Sequence, residues 1–283
     1  MSKKQDVETT GHSWDGIEEF NNPLPKWWLY IFYACIIWGV AYSIAYPAWP
    51  MVSKATSGLM GWSTRANVAA KISEFEQMNA AVEAELAAAD VTEVALGSDV
   101  HSYAVNAGAA VFRANCSQCH GSGAAGNVGY PNLLDNDWLW GGTVDEIAYT
   151  IQHGIRNETD DARYSEMPKF GVDELLEDDQ INQVVEYVLA ISGQDHDAAL
   201  ASAGTLVFEE NCAACHAEDG TGDIYQGAPN LTDAIWLYGG SREAVHETVH
   251  AARFGVMPAW GERLSQAEVN AAALYVHQLG GGE

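Results

Sequence analysis

The sequence predicts a mainly α-helical protein with one N-terminal transmembrane helix, a helical linker and two tandem copies of a small helical domain. Three observations predict this fold class. A run of 23 uncharged residues lies at 27–49 of the 283-residue chain. The motif Cys-x-x-Cys-His occurs twice, at 116–120 and at 212–216. Each copy is followed by a Met-Pro pair and then by apolar residues at helical spacing, which indicates an internal repeat.

The charge of the chain is strongly one-sided. There are 39 acidic against 13 basic residues, which gives a formal net charge of −26. Because phosphates would be repelled, this balance excludes nucleic acid as a partner. Residues 51–283 hold 34 of the acidic and 10 of the basic residues. This charge either attracts a basic partner by long-range steering or only keeps the protein soluble.

Residues 1–26 are predicted to form a polar N-terminal tail on the cytoplasmic side of a membrane. The segment contains five acidic residues, and it is too long and too acidic to be the n-region of a signal peptide. Three lysines precede the uncharged run and two basic residues follow it closely, which slightly favours a cytoplasmic N-terminus. The pattern assigns no role to His12.

Residues 27–49 are predicted to cross a bilayer as one helix, since about 20 apolar residues are enough to span it. A buried soluble helix and a cleaved signal peptide are the alternatives, but the length of the run favours an uncleaved anchor. Cys35 lies inside the run and is interpreted as a small hydrophobic residue. Aromatic residues stand at both ends of the run, as they do at membrane interfaces: Trp27, Trp28, Tyr30, Tyr46 and Trp49.

Residues 50–103 are predicted to be a helical linker. Within it, residues 64–89 are rich in Ala and Glu and contain neither Pro nor Gly, which favours a helix. Ile72, Phe75 and Met78 begin a loose apolar stripe along this helix. The helix is interpreted either as a spacer that lifts the following domains off the membrane or as a helix that packs on a partner.

The internal repeat predicts two domains, at 104–194 and 198–283. The first copy is longer by eight residues between its Gly-Gly and Met-Pro pairs, and the polar insertion at 157–166 is expected to be a surface loop. The two copies share a series of matching segments: Gly108 to Phe112 and Gly204 to Phe208, Pro131 to Leu133 and Pro229 to Leu231, Trp138 to Gly142 and Trp236 to Gly240, and the helical patterns Ile181 to Val188 and Val269 to Val276.

The two Cys-x-x-Cys-His motifs have the pattern that attaches a c-type haem. Two thiols one helical turn apart reach the two vinyl groups of one porphyrin, and the next residue is placed under the iron. Zinc, a disulfide and a redox pair are the alternatives, but zinc needs further clustered ligands that are not obvious. The prediction is two covalently bound haem c groups, with thioether bonds to Cys116, Cys119, Cys212 and Cys215 and with His120 and His216 as axial ligands.

Both repeat units resemble class I cytochrome c domains, in which a methionine is the second axial ligand. The resemblance implies that His120 and Met167 hold the first iron, and that His216 and Met257 hold the second. A thioether favours reduced iron, and two protein ligands leave no position for a substrate, so these haems would carry electrons. Nitrogen ligation is the alternative, and the candidates are His153, His246, His250 and His277.

The same resemblance implies the surroundings of each haem. The ring N–H of each axial histidine would donate to a proline carbonyl, at Pro131 or Pro229, which fixes the tautomer. The two glycines that begin the repeats would let the terminal helices cross closely. Further candidates are Trp140 and Tyr238 to cover the haem, Arg156 and Arg253 to pair with propionates, and Gly108 and Gly204 to cross near Tyr187 and Tyr275.

The chain as a whole resembles the dihaem subunit III, of CcoP or FixP type, of cbb3-type cytochrome c oxidases. The residues that carry this resemblance are the run Gly11 to Ile17, the run Asn21 to Pro25, the pair Trp27–Trp28 and one span before two haem units. The resemblance implies a bacterial inner-membrane protein with periplasmic haem domains. It would not be an enzyme on its own.

The resemblance also implies the partners. Electrons would come from a basic cytochrome c or the bc1 complex and pass to a monohaem subunit and the oxygen-reducing haem–copper subunit. The alternatives are a dihaem cytochrome that serves another membrane dehydrogenase or reductase, a dihaem peroxidase and a passive assembly factor. A peroxidase would need a haem with a displaceable ligand.

Overall fold

The computed structural model describes residues 7–282 and is mainly helical, as the sequence predicts. The chain divides into two compact units, Met1–Met78 and Asn79–Glu283. The first unit contains a two-stranded hairpin and the predicted membrane helix. The second unit contains both Cys-x-x-Cys-His motifs, so the site lies within this unit.

A β-hairpin precedes the membrane helix, where the sequence indicated only a polar tail. Strand β1 (Thr9–Trp14) pairs antiparallel with strand β2 (Ile17–Phe20), and Trp14 lies opposite Ile17. Asp15 and Gly16 both have positive φ, at 51° and 84°. An Asp-Gly pair in this conformation is typical of a two-residue hairpin turn. This dipeptide was therefore a signal for the hairpin that the sequence analysis missed.

Helix α1 (Lys26–Ala45) occupies the predicted membrane-spanning run. An 18-residue window of this 20-residue helix has a mean hydropathy of 1.7, and its side chains are not buried in the first unit. Within residues 7–282 it is the one helix long and apolar enough to cross a membrane. The helix ends two residues before Pro47, whose fixed φ and missing N–H cannot continue it.

Helix α2 (Thr64–Ala88) is the predicted helix of the linker, and its C-terminal end lies in the second unit. There Leu86 is completely buried, and the side-chain amide of Asn270 donates to its carbonyl over 2.9 Å. The hydroxyl of Tyr103 donates to the carboxylate of Glu83 over 2.6 Å. The end of the linker is therefore anchored to the helical domains that follow it.

Between residues 79 and 282, eight further helices follow α2, and they occur in the same order in both repeats. A short π-helical segment (Phe112–Cys116) follows the first of them. The helices of the first repeat are α3 (Asp99–Val111), α4 (Ser117–His120), α5 (Val144–His153) and α6 (Asp178–Ile191). Those of the second repeat are α7 (Ala198–Asn211), α8 (Ala213–His216), α9 (Arg242–His250) and α10 (Gln266–His277).

The last helices of the two repeats are exchanged. Helix α10 packs on α3 and α5 of the first repeat, whereas α6 packs on α7 and α9 of the second. We call the group α3, α4, α5 and α10 the outer domain, and the group α6 to α9 the inner domain. The sequence repeats at 104–194 and 198–283 are therefore not the packed units, because the inner domain is continuous in the chain and interrupts the outer one.

Each exchanged pair of helices crosses at a glycine, as predicted, but with the opposite partners. A Cβ atom added to Gly108 would lie 2.1 Å from the carbonyl oxygen of Ala271 on α10. One added to Gly204 would lie 2.1 Å from the carbonyl oxygen of Gln183 on α6. Since no Cβ fits at either crossing, only glycine allows the backbones to approach this closely.

One pair of equivalent positions explains the choice of partner. In the inner domain, buried Glu186 on α6 forms an ion pair with Arg242 on α9. In the outer domain, the matching positions are Leu274 on α10 and Val144 on α5, which belong to one apolar cluster. Without the exchange, the carboxylate would be buried without its cation, at a substantial cost in stability.

A short connection also favours this arrangement. Only residues 192–197 separate α6 from α7, and consecutive helices joined by a short loop usually pack side by side. The carboxylate of Glu186 accepts from the backbone N–H of Asp197 over 2.7 Å. Asp197 in turn caps α7 by accepting from the N–H groups of Ala199 and Leu200. The α6–α7 pair is therefore connected through one polar network.

Candidate functional site

Each Cys-x-x-Cys-His motif ends a helix pair that faces a cavity. In the outer domain, the π-helical segment and α4 bring Cys116, Cys119 and His120 to the cavity wall. In the inner domain, α8 does the same for the second motif. The residue after each histidine has a positive φ, 80° at Gly121 and 62° at Ala217. This conformation ends the short helix directly after the motif histidine.

Both motif histidines are oriented by a proline carbonyl, as the resemblance implied. The Nδ1 atom of His120 lies 3.0 Å from the carbonyl oxygen of Pro131, and that of His216 lies 3.0 Å from the carbonyl oxygen of Pro229. Burial lowers the pKa of both imidazoles. A neutral ring that donates from Nδ1 leaves the Nε2 lone pair for an iron ion.

The first cysteine of each motif is half-buried. Burial, together with the neighbouring cysteine, raises the pKa of Cys116 and of Cys212 to about 11. Among residues 7–282, no group of three or more His, Cys, Asp or Glu side chains has the geometry to hold a metal ion.

Two large, mostly apolar cavities contain the motif residues. One lies in the outer domain and the other in the inner domain, with volumes of about 1300 and 1320 Å³ that include their openings to solvent. Phe112 and Ile151 line the first cavity, and Phe208 and Val188 line the second. Apolar walls with few polar groups are typical of a cofactor site.

The methionines reach the cavities in the exchanged arrangement. Met257 lines the cavity of His120, and Met167 lines the cavity of His216. The structure therefore places His120 with Met257 and His216 with Met167, and it does not bring together the expected pairs, His120 with Met167 and His216 with Met257. Each Met-Pro pair lies before the terminal helix of its repeat. Because α6 packs with helices of the second repeat and α10 with helices of the first, each methionine is placed in the domain of the other repeat.

The nitrogen alternatives lie elsewhere. Among the described residues, His120 and His216 are the histidines that line the two cavities. The ring of His153 lies against Tyr149, with centroids 4.4 Å apart, and the rings of His246 and His250 lie 6.0 Å apart on α9. The structure thus brings one imidazole and one thioether to each cavity.

Buried polar atoms at the cavities fit a group with carboxylates. Trp140 lines the cavity of His120, and Arg253 lines that of His216. The ring N–H of Trp140 and the Nε of Arg253 are buried and have no hydrogen-bond partner within the described residues. A haem has two propionates, which accept hydrogen bonds from such donors. The residues present therefore fit the haem that the motifs imply.

The insertion at 157–166 does more than form a surface loop. It returns Arg163 to the outer domain, where the guanidinium lies 5.6 Å from the ring centre of Trp140 and 5.0 Å from that of Tyr149. In the inner domain Arg253 takes the matching place, 4.8 Å from the ring centre of Tyr238. Arg163 could not be found from the repeat pattern, because Arg163 and Arg253 occupy equivalent places but lie at unrelated positions of the two repeats.

The two cavities share lining residues. Leu139 and Leu237, which occupy matching positions in the two repeats, each line both cavities. Arg156 also lines both, whereas Arg253 lines the cavity of His216 alone as far as residues 7–282 are concerned. The two sites are therefore close neighbours, separated by side chains rather than by a whole layer of structure.

Comparison with known families matches both ends of the chain. A family model described as cytochrome c oxidase, cbb3-type, subunit III matches residues 104–188 and 199–276. A second model, described as the N-terminal domain of cytochrome oxidase-cbb3, FixP, matches residues 6–53. The second match contains the hairpin and the membrane helix, so these elements belong to the family pattern.

Similar proteins are alike over nearly their whole length. A cbb3-type cytochrome c oxidase subunit CcoP of Cereibacter sphaeroides is 63% identical over 99% of this chain and 97% of its own. The subunit CcoP of Rhodobacter capsulatus is 55% identical over the full length of both chains. The subunit FixP of Sinorhizobium medicae is 49% identical over 98% of this chain and 96% of its own. Together with the hairpin, the membrane helix and the two tandem haem-type domains, these matches place the chain in the family of subunit III of cbb3-type cytochrome c oxidases.

Proposed function

We propose that this chain is the membrane-anchored dihaem electron-transfer subunit of a cbb3-type cytochrome c oxidase. It is not an enzyme on its own, but it carries electrons towards the oxygen-reducing subunit of the complex. The observation that carries the proposal is that each of the two cavities holds one proline-bound imidazole and one methionine. With both axial positions filled by protein, such a site transfers electrons and does not bind a substrate.

In this proposal each of the eight site residues has one task. A bound haem c supplies an iron that exchanges one electron between its ferric and ferrous states. The four motif cysteines attach the two haems covalently, and the two histidines and two methionines ligate the irons. The pairs are His120 with Met257 and His216 with Met167. The soft thioether favours the ferrous state and so raises the reduction potential of each site.

The remaining cavity residues control solvent and charge. Apolar walls such as Phe112 and Phe208 exclude water, which strengthens electrostatic interactions within the site. Trp140 and Arg253 would donate to propionate oxygens, which satisfies their buried N–H groups. Leu139 and Leu237 lie at both cavities, so an electron would pass from one haem to the other across few atoms.

The membrane helix and the charge suggest the arrangement of the complex. Helix α1 would anchor the chain in the bacterial inner membrane, with the N-terminus in the cytoplasm and the haem domains in the periplasm. The names of the similar proteins support partnership with the other oxidase subunits. Within the complex these would be the monohaem cytochrome c subunit and the haem–copper subunit. The acidic charge of residues 51–283 supports a basic cytochrome c, or the bc1 complex, as electron donor.

Purification of the full chain in mild detergent tests the proposal. The chain is expected to copurify with oxygen-reducing activity, to contain two haem c per polypeptide and to show a methionine–iron charge-transfer band for both ferric haems. Peroxide turnover without oxygen reduction would instead support a peroxidase. A spectrum of two imidazole ligands at either haem would contradict the proposed ligand set.

A further inference from the structure

The segment Ile155–Asn157 follows α5 and contacts the loops that carry both methionines. Ile155 and Met257 exchange two backbone hydrogen bonds of 3.0 Å each. The side-chain amide of Asn157 donates to the carbonyl oxygens of Met257 and His153, over 3.0 and 2.8 Å. The loop of Met257 is thus held by the backbone and by one neighbouring side chain.

The side chain of Arg156 reaches further than its two neighbours. Its Nε donates to the carbonyl oxygen of Gly255 over 2.9 Å, and its Nη1 donates to that of Ser165 over 2.7 Å. Gly255 lies two residues before Met257, and Ser165 lies two residues before Met167. One guanidinium therefore joins the two methionine loops at matching positions.

The backbone of Arg156 supports this geometry. Its φ of 51° is in the left-handed region, which non-glycine residues rarely adopt. Its backbone N–H donates to the carbonyl oxygen of Arg163 over 2.8 Å, and the guanidinium lies 5.7 Å from the ring centre of Phe254. The side chain is half-buried and lines both cavities. These contacts define one orientation of the guanidinium between the two sites.

The matching arginine of the second repeat does not take this role. Arg253 donates to the carbonyl oxygen of Ala244 and to the hydroxyl of Thr248, over 3.1 and 2.7 Å. It also pairs with Glu247 over 3.1 Å. All three partners belong to α9, so Arg253 stays inside the inner domain.

We propose that Arg156 positions both axial methionines, so that the ligation of one haem depends on the same side chain as the ligation of the other. The inference rests on the proposed His/Met ligation of two haems. A planar guanidinium has donors in a fixed fork that spans two acceptors, which a shorter or single-headed side chain cannot do. Its positive charge, next to both cavities, also stabilises the reduced state of both irons.

Carbon monoxide binding to the reduced full chain in detergent tests the proposal, because CO reports an iron that has lost its methionine. The wild type is expected to bind CO at neither haem. Arg156→Gln is expected to bind CO at both haems, to weaken both methionine–iron bands and to lower both midpoint potentials. Arg156→Lys keeps the positive charge. Relative to Arg156→Gln, its midpoint potentials are therefore expected to move back towards the wild-type values to a greater extent than its resistance to CO binding.

Two further variants separate the proposal from a general loss of structure. Arg113→Gln changes an exposed arginine that lines neither cavity among residues 7–282, and it is expected to bind CO at neither haem. Asn157→Ala removes a contact of the Met257 loop alone, so it is expected to open one haem. The haem content per chain and the far-ultraviolet circular dichroism of each variant are expected to equal those of the wild type.

The outcomes also distinguish this inference from the proposed function. If the wild type already binds CO or lacks the methionine–iron bands, the His/Met ligand set itself is wrong. If the wild type is closed but Arg156→Gln opens one haem or neither, Arg156 does not position both methionines. Equal opening in Arg113→Gln would show that the loss of any arginine loosens the ligands, which also overturns the inference.

Discussion

Single hydrogen bonds decide what the two motif histidines can do. A ring that donates from Nδ1 to the carbonyl of Pro131 or Pro229 presents its other nitrogen to the cavity. This contact was expected from the resemblance to class I cytochrome c domains, and the histidine and the proline lie in the same repeat. The methionine partner was not, because it comes from the other repeat. At the scale of the residue, local contacts were therefore predictable and distant ones were not.

A chain with a single haem tests the proposed ligand pairs. The double variant Cys116→Ala with Cys119→Ala is expected to retain the haem of the second motif alone. In this background, Met167→Ala is expected to abolish the methionine–iron band, because Met167 shares the cavity of His216. Met257→Ala serves as the control and is expected to leave the band unchanged. The reverse result would restore the pairing within each repeat.

Glycine at the helix crossings has a cost that can be measured. A Cβ at Gly204 would lie 2.1 Å from the carbonyl oxygen of Gln183, so Gly204→Ala requires the α6 and α7 backbones to separate. Overpacking of this kind costs about 1–3 kcal/mol. The free energy of unfolding of Gly204→Ala is expected to fall by that amount. Gly123 is the suitable control position, because an added Cβ meets nothing within 4 Å and φ is not positive there. Gly193 also has open space, but its positive φ would strain any other residue.

At the scale of the secondary-structure elements, the main feature is that the terminal helix of each repeat packs with helices of the other repeat. Both repeats contain an amphipathic terminal helix that crosses a glycine, so either helix matches either partner by pattern. The difference lies in Glu186 and Leu274, which occupy matching positions on α6 and α10. Glu186 forms an ion pair with Arg242 on α9, whereas Leu274 lies in an apolar cluster against which Val144 packs. At this equivalent contact, the inner domain therefore has an ion pair and the outer domain has an apolar pair. This difference specifies which terminal helix packs in which domain.

The ion pair predicts a dependence of stability on acid. Hydrogen bonds from Arg242 lower the pKa of Glu186 below its ordinary value. Its contribution is therefore complete above the unfolded pKa of about 4.3 and is lost as the pH falls through the lower folded pKa. Arg242→Leu is expected to lower the thermal unfolding midpoint at pH 7, and the difference from the wild type is expected to shrink towards pH 3.

Two controls sharpen this measurement. Arg263→Leu removes another arginine, one that lies over the ring of Trp260, and it is expected to give a small change at every pH. The double variant Glu186→Leu with Arg242→Val reproduces the apolar pair of the outer domain and is expected to regain part of the lost stability. A pH-independent difference for Arg242→Leu would show that the ion pair does not stabilise the α6–α9 contact.

The charge distribution is a property of the whole molecule. Residues 51–283 hold 34 acidic and 10 basic residues, whereas the run at 27–49 holds none. A surplus of one sign produces a potential that extends beyond single contacts and attracts opposite charges. In the proposed complex, this field would favour the approach of a basic electron donor to the haem domains.

Salt is expected to reveal this attraction. The Debye length falls from about 30 Å at 0.01 M to about 8 Å at 0.15 M ionic strength. The rate at which the full chain oxidises a basic cytochrome c is therefore expected to fall steeply over this range. An acidic cytochrome c as donor provides the comparison and is expected to react slowly and to speed up with salt. A flat rate for the basic donor would contradict the steering role of the acidic surface.

The sequence by itself determined the elements whose physics is local. The uncharged run is long enough for a bilayer helix, the motif places two thiols and an imidazole on one turn, and the acidic excess needs only counting. The hairpin also depends on a local signal, because the Asp15-Gly16 pair favours its turn, although this signal was not used to predict it. Family membership followed from these features and from the residues around the membrane helix.

Only the tertiary structure decided which terminal helix, and with it which methionine, lies at each of the two cavities. The two repeats are alike at the level of pattern, so their helices and Met-Pro pairs are interchangeable in the sequence. The choice depends on three features. Glu186 is buried beside Arg242, Leu274 is buried in an apolar cluster, and the connection from α6 to α7 is short. Such contacts join residues far apart in the chain, and their free energy appears only when the helices pack.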